Sequence, residues 1–229
     1  KIFDLQNSSR TKFYKKFLFK KDIFWSNSES FISRQQALEE NALPVLDRME
    51  LQLSRAGISE TLFTKKPDLN WSIKNIKNII NQNFEGNYIL IFPFCSPKLR
   101  KKQWPYYEEL ISLLQRDYGA KYNIAIAPGP KELVKAKNFK TNIILKQNLP
   151  LNITELISLI KGASYVISND TGPAHICTHL NKKGLVLFGS HTTPEKVSIE
   201  TENFKSIKVK NLNELTVADV FEKVKENLN

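Results

Sequence analysis

Cysteine, methionine and acidic side chains are scarce in this chain. Two cysteines among 229 residues, Cys95 and Cys177, cannot build a disulfide framework, and such sparse use fits a reducing, cytoplasmic compartment. Eight glycines and ten prolines exclude collagen-like and low-complexity sequences. No apolar run approaches the roughly 18 residues that a membrane-spanning helix needs. The longest runs, Ile89–Phe94 and Gly184–Gly189, are the size of strands. No signal-peptide pattern opens the chain and Lys1 is not an initiator methionine, so the expectation is a native start upstream of Lys1. With 41% apolar and 25% charged residues, the chain is long enough to bury one large core or two modest ones.

The shortage of acid leaves 34 Lys and Arg against 23 Asp and Glu, a net charge of +11. Nucleic acid, anionic membrane faces and phosphorylated small molecules are all attracted by such a balance. The excess gathers at the start, where Lys1, Arg10, Lys12, Lys15, Lys16, Lys20 and Lys21 face only Asp4. Elsewhere Lys and Glu alternate, as on an ordinary solvated surface.

Hydrophobic periodicity divides the chain near residue 85. Residues 1–85 read as mostly helical: FYKKFLFKK (13–21) as an amphipathic helix, Ser33–Ala56 as one helix despite Pro44, and Trp71–Phe84 as another. KKPDLN (65–70) reads as a polar connection. Residues 86–229 alternate short apolar strands with helical patterns. The strands are YILIFP (88–93), NIAIA (123–127), NIIL (142–145), YVIS (165–168), LVLF (185–188) and a sixth at Ser206–Val209. The helices are Trp104–Tyr118, Lys131–Lys137, Ile153–Lys161, Pro173–Leu180 and Leu212–Leu228. Continuous apolar strands joined by helices predict an α/β domain, a doubly wound parallel sheet covered on both faces. Ligands of such sheets sit beyond the carboxyl ends of the strands, which directs attention to three loops.

The loop after the fourth strand is Ser168-Asn169-Asp170-Thr171-Gly172-Pro173-Ala174-His175. Pro173 suits the first turn of a helix. Outward-pointing amides of Gly172, Ala174 and His175, with the Thr171 hydroxyl, would form an anion site at that helix start. Asp170 would accept sugar hydroxyls or cap the helix; the whole stretch reads equally well as a plain capped turn. The loop after the first strand, Cys95-Ser96-Pro97-Lys98-Leu99-Arg100-Lys101-Lys102-Gln103-Trp104-Pro105, is dense in cations. Lys102, beside the Trp104-Pro105 anchor, is the expected ligand, whereas Lys98 and Arg100 read as solvated. Glu132, after the second strand, could accept from ribose hydroxyls or serve only as a helix-start charge. His175 and His179 share the i, i+4 spacing of zinc sites, but no third ligand stands at suitable spacing, and no metal is expected. Cys95 has no evident base to activate it.

These residues resemble a known family. NDTGPAHICTHLNKKGLVLFGSHTTPEK (169–196) is similar to the signature of the heptosyltransferase-like glycosyltransferase family 9. Lys102-Gln103-Trp104-Pro105 matches its K-x-W-P segment, and Phe3-Asp4-Leu5-Gln6-Asn7-Ser8-Ser9-Arg10 resembles its D-L-Q-G-x-x-R segment. The resemblance implies a GT-B-like fold. Residues 86–229 would be the C-terminal Rossmann-like, nucleotide-sugar-binding domain, and residues 1–85 an incomplete acceptor-side domain. It implies inverting, metal-independent transfer of a sugar, heptose from ADP-heptose in most members, to a lipopolysaccharide core acceptor at the inner face of the cytoplasmic membrane, without a cofactor. Carried across, the donor-binding residues are Ser96, Lys102, Glu132, Asp170, Thr171, Gly172, Pro173 and His175. Arg10 and Lys12 fall on the acceptor or membrane side. The family's glycine-rich first loop and general base have no counterpart here and are expected upstream of Lys1. Asn7 stands where the family has Gly, Gly184 where it has Pro or Val, and His191 is unusual in its turn. Two other classes compete: a non-catalytic nucleotide-binding module, and a nucleic-acid binder using Lys12–Lys21 and Lys98–Lys102. The latter lacks the aromatic strand face of RNA-binding sheets.

Overall fold

The computed structural model describes residues 1–59 and 67–228. It divides into two compact units, Lys1–Pro67 with Glu195–Ser198, and Asp68–Pro194 with Ile199–Asn229. Residues 68–85, which the sequence pattern groups with the first region, thus belong to the second unit.

The first unit contains β1 (Ile2–Phe3), α1 (Ser9–Phe17), β2 (Trp25–Ser26), α2 (Arg34–Ala42) and α3 (Val45–Arg55), with β1 and β2 paired in parallel. The two strands were not expected from the sequence. Helix α1 starts earlier than residue 13 because Ser8 and Thr11 form a reciprocal capping box. It buries none of its residues, so Phe13 and Phe17 face solvent. The single helix expected over Ser33–Ala56 is two helices. A residue before proline is pushed out of the helical region, and Leu43 accordingly turns extended (ψ 161°) ahead of Pro44.

The second unit holds α4 (Lys77–Asn81), β3 (Tyr88–Phe92), α5 (Tyr107–Tyr118), β4 (Asn123–Ile126), α6 (Leu133–Ala136), β5 (Asn142–Ile143), α7 (Ile153–Gly162), β6 (Tyr165–Asn169), α8 (Gly172–His179), β7 (Gly184–Phe188), β8 (Phe204–Lys208) and α9 (Val217–Leu228). The helix expected over Trp71–Phe84 is reduced to a 3-10 turn at Asn70–Ser72 and the short α4. Ile73 is extended, and the Lys74 amide donates to Ser158 Oγ at 2.8 Å instead of closing a helical turn. The connection expected at 65–70 lies partly outside the described residues.

Six parallel strands pair in the order β5-β4-β3-β6-β7-β8. Every residue of β3, β6 and β7 is buried, as the apolar runs require of a sheet covered on both faces. Ile89, Ile91, Ile167, Leu185 and Leu187 pack with Leu110, Leu114 and Val220 from α5 and α9. Each such side chain contributes about 1.5–3 kcal/mol when fully buried. The strand order reverses direction between β3 and β6, where Phe92 pairs with Ser168. The loops leaving those two strands therefore flank the sheet's switch point, where ligands of doubly wound sheets bind.

Gly184 has a steric reason. A Cβ there would lie 2.4 Å from the Val166 carbonyl oxygen and 2.8 Å from the Phe204 ring. Asn7 has a conformational one: its φ of 49° is the left-handed region glycine adopts freely and asparagine tolerates. Its side chain also bonds Gln52 Oε1 and the Ser28 amide, tying the end of β1 to α3 and to the loop after β2.

Candidate functional site

At the switch point β6 ends in Asn169 and the chain turns through Asp170-Thr171 into α8. Asn169 is fully buried, and its Oδ1 accepts from the Trp104 amide and the Tyr107 hydroxyl, each at 3.1 Å. Trp104, itself fully buried, donates Nε1–H to the Leu215 carbonyl at 2.9 Å. These bonds fasten the cationic loop, which winds through 3-10 turns at Pro97–Lys102, to the end of β6. Lys102 arrives beside Asp170, with Nζ 2.6 Å from Oδ2.

Asp170 is the electrostatic centre of the turn. Its side chain is 3% exposed. His191 Nε2 lies 2.9 Å from Oδ2, and His175 Nε2 lies 3.7 Å from Oδ1, an ion-pair distance rather than a hydrogen bond. Burial alone would raise this carboxyl. The surrounding His175, Lys102 and His191 outweigh it and hold the pKa well below the usual carboxylate range. Burial pushes His191 below the ordinary histidine value against the pull of Asp170, so the ring is neutral at neutral pH.

The start of α8 is receptive to an anion, by fewer groups than the sequence suggests. Thr171 makes no side-chain cap bond. The amides of Ala174 and His175, expected to point outward, instead donate to the Thr171 carbonyl at 3.0 and 3.4 Å. The Gly172 amide makes no hydrogen bond among the described residues. A Cβ on Gly172 would meet nothing within 4 Å, so the open side of this turn is free for a ligand. The turn borders a cavity of about 290 Å³ at the carboxyl ends of β3, β4 and β6.

Of the expected donor-binding residues, Ser96, Glu132, Thr171, Gly172 and Pro173 line this cavity. Lys102 and Asp170 form an ion pair at the same turn, with His175 beside it. Glu132 is partly spent, because one of its carboxylate oxygens accepts the Gly129 amide at 2.7 Å. Cys95 lines the cavity as well. Burial, then Glu132, raises its thiol pKa, the opposite of an activated nucleophile. Cys177 is fully buried and pushed far upward by burial. Among the described residues no three His, Cys, Asp or Glu side chains gather as metal ligands, and His175 turns toward Asp170.

Arg10 and Lys12 lie exposed on α1 in the first unit. That unit holds a cavity of about 830 Å³ lined by Asn7, Glu29, Arg34, Arg48 and Gln52 among others; neither Arg10 nor Lys12 lines it. No helix among the described residues is long and apolar enough to cross a membrane.

Sequence reasoning missed two residues. Asn169, which staples the cationic loop, is recognisable only as the neighbour of Asp170. His191 stood out as unusual, but its contact across 21 positions is set by the β7 turn and not by local spacing.

A six-stranded, doubly wound parallel sheet whose strand order reverses at β3 and β6 places this unit in the Rossmann-like class of α/β folds. Residues 26–225 match glycosyltransferase family 9 (heptosyltransferase), and the chain belongs to that family. Solved structures share the fold. The chain is 22% identical to Escherichia coli heptosyltransferase WaaC with ADP, covering 80% of this chain and 56% of that one (TM-score 0.59). It is 19% identical to E. coli ADP-heptose lps heptosyltransferase II, covering 81% and 62% (TM-score 0.59). A family 9 glycosyl transferase from Veillonella parvula is 16% identical, covering 93% and 65% (TM-score 0.69). The chain thus spans somewhat over half the length of these relatives. No curated protein matches it.

Proposed function

We propose that the chain is the donor-binding portion of a glycosyltransferase that takes an ADP-sugar, heptose being the favoured sugar, and passes it to a lipopolysaccharide core acceptor with inversion. The supporting observation is that the Thr171-Gly172-Pro173 turn lines the switch-point cavity while Lys102 is anchored on Asp170, next in chain to that turn. A solved relative carries ADP and another state of it carries ADP-2-deoxy-2-fluoro heptose, which favours adenine over other bases.

The physical demand of such a transfer is charge. As the bond from the sugar's anomeric carbon to the diphosphate breaks, negative charge grows on the leaving oxygens. Donors already aimed at them lower the barrier without reorganising. Here the Lys102 ammonium, the Gly172 amide and the positive end of α8 supply that field, and the step is assigned no metal; the Thr171 hydroxyl, which donates to the Asn169 carbonyl at 3.3 Å, would have to turn to join them. Lys102 is shared between Asp170 and the diphosphate, Ser96 lies on the wall of the cavity, and the unused oxygen of Glu132 reaches the ribose. Arg10 and Lys12, among the cations of α1, face the acceptor or an anionic membrane surface.

A thermal-shift panel of ADP, UDP and GDP tests the donor site, because a ligand that binds only the folded form raises its midpoint. ADP is expected to raise it by several degrees and the other two by less. The shift is expected to vanish in Lys102→Ala and Gly172→Leu. Equal shifts in parent and variants would place the nucleotide elsewhere.

A further inference from the structure

His191 poses a question that the donor site does not answer. Its side chain is 3% exposed, and its ring lies nearly parallel to Phe188, with centroids 5.8 Å apart and planes 12° apart. An apolar residue of similar shape would satisfy that packing. Instead the position holds an imidazole whose Nδ1 is buried with no partner among the described residues. An orphaned buried acceptor is a cost, so the other nitrogen must meet a demand that offsets it.

The other nitrogen meets Asp170. An ionised carboxylate can only accept, so Nε2 must carry the proton and donate it across the 2.9 Å contact. Both Lys102 and His191 address the same oxygen, Oδ2. The two donors differ in freedom. Lys102 ends a flexible stem and must share its ammonium with an arriving phosphate. The His191 ring is held by Phe188. While Lys102 is shared, His191 keeps the buried carboxylate turned toward the lysine and away from the incoming anion.

We propose that His191 is a positioning residue: its Nε2–H fixes the Asp170 carboxylate, which in turn presents Lys102 at the start of α8 to a nucleoside diphosphate. The proposal rests on the donor-site reading above, and adds a residue outside the set that the family resemblance supplied.

Two readouts test it. Nitrogen-15 spectra of the histidine rings are expected to show one neutral ring protonated on Nε2, moved by Asp170→Asn. A ring protonated on Nδ1, or one indifferent to Asp170→Asn, overturns the proposal. In ADP titrations, His191→Phe keeps the stacking and loses the donor, and is expected to bind about tenfold more weakly than the parent. His191→Gln restores a donor at the position of Nε2 and is expected to bind within about twofold of the parent. Equal binding by parent and His191→Phe, or equal loss in both variants, overturns it. Should His191→Phe fail to fold, the Gln variant and the ring spectra decide. A parent that does not bind ADP refutes the donor-site reading, and the ring spectra still decide the contact.

Discussion

Replacing Lys102 by methionine removes a charge and keeps the stem. Asp170 is then a buried carboxylate that has lost its one full counter-charge, with His191 and the more distant His175 as remaining partners. Removing one member of a buried pair costs about 3–5 kcal/mol, and Lys102 is itself 20% exposed, so the low end of about 3 applies. In a unit of this size each kcal/mol lowers the melting temperature by roughly 2–4 °C, which predicts a fall of about 9 °C at neutral pH. Without Lys102 the Asp170 carboxyl titrates higher, so protonation relieves the defect and the difference from the parent narrows as pH falls. Adding Asp170→Asn removes the stranded charge and is expected to recover most of the loss. ADP affinity is not expected to return, because the ammonium is still missing. Differential scanning calorimetry of parent, single and double variants checks this. A single variant that melts like the parent, or a double variant no more stable than the single, would refute the argument that Asp170 is an ionised, buried partner of Lys102.

Other expectations rest on separate observations. His191 and His179 both have depressed pKa values through burial, so the unfolded chain binds their protons first and stability falls as pH drops below about 6.5; His191→Gln is expected to flatten that limb in pH-dependent urea titrations. Glu155, lowered by its bond from Lys146, and Asp170 contribute stability that is present above the usual carboxylate range and lost as pH falls below about 4, giving a second, steeper decline. Gly184→Ala forces a Cβ against the Val166 carbonyl and the Phe204 ring, and should cost about 3 kcal/mol in denaturant titrations. Asn7→Gly keeps the left-handed conformation and loses the side-chain bonds, whereas Asn7→Ala loses both; urea titration should find the alanine variant less stable by about 1 kcal/mol.

The sheet was legible because its strands are short, continuous apolar runs separated by helical patterns, and burial on both faces is the physical meaning of that pattern. The front of the chain was less so. Pro44 was visible, yet its power to split α2 from α3 acts through Leu43, and the isoleucines from Ile73 to Ile80 carry a helical period that the backbone follows only from Lys77, because the Lys74 amide bonds Ser158 instead. At the site, residue type and loop position placed Lys102 and Asp170 at one sheet edge. That Lys102 is already paired with Asp170, that two of the three expected amides turn back on Thr171, and that Asn169 and His191 hold the arrangement are tertiary facts. Each depends on contacts between segments more than 20 residues apart or on the exact turn of α8, which periodicity does not encode.

We propose above all that a nucleoside diphosphate is gripped where β3 and β6 part. Titrating ADP into the nitrogen-15-labelled chain and following its amide resonances tests that claim directly. The largest shifts are expected at Ser96, Lys102, Thr171 and Gly172, with α1 and β8 unmoved. Shifts centred anywhere else, or none at saturating ADP, would contradict it.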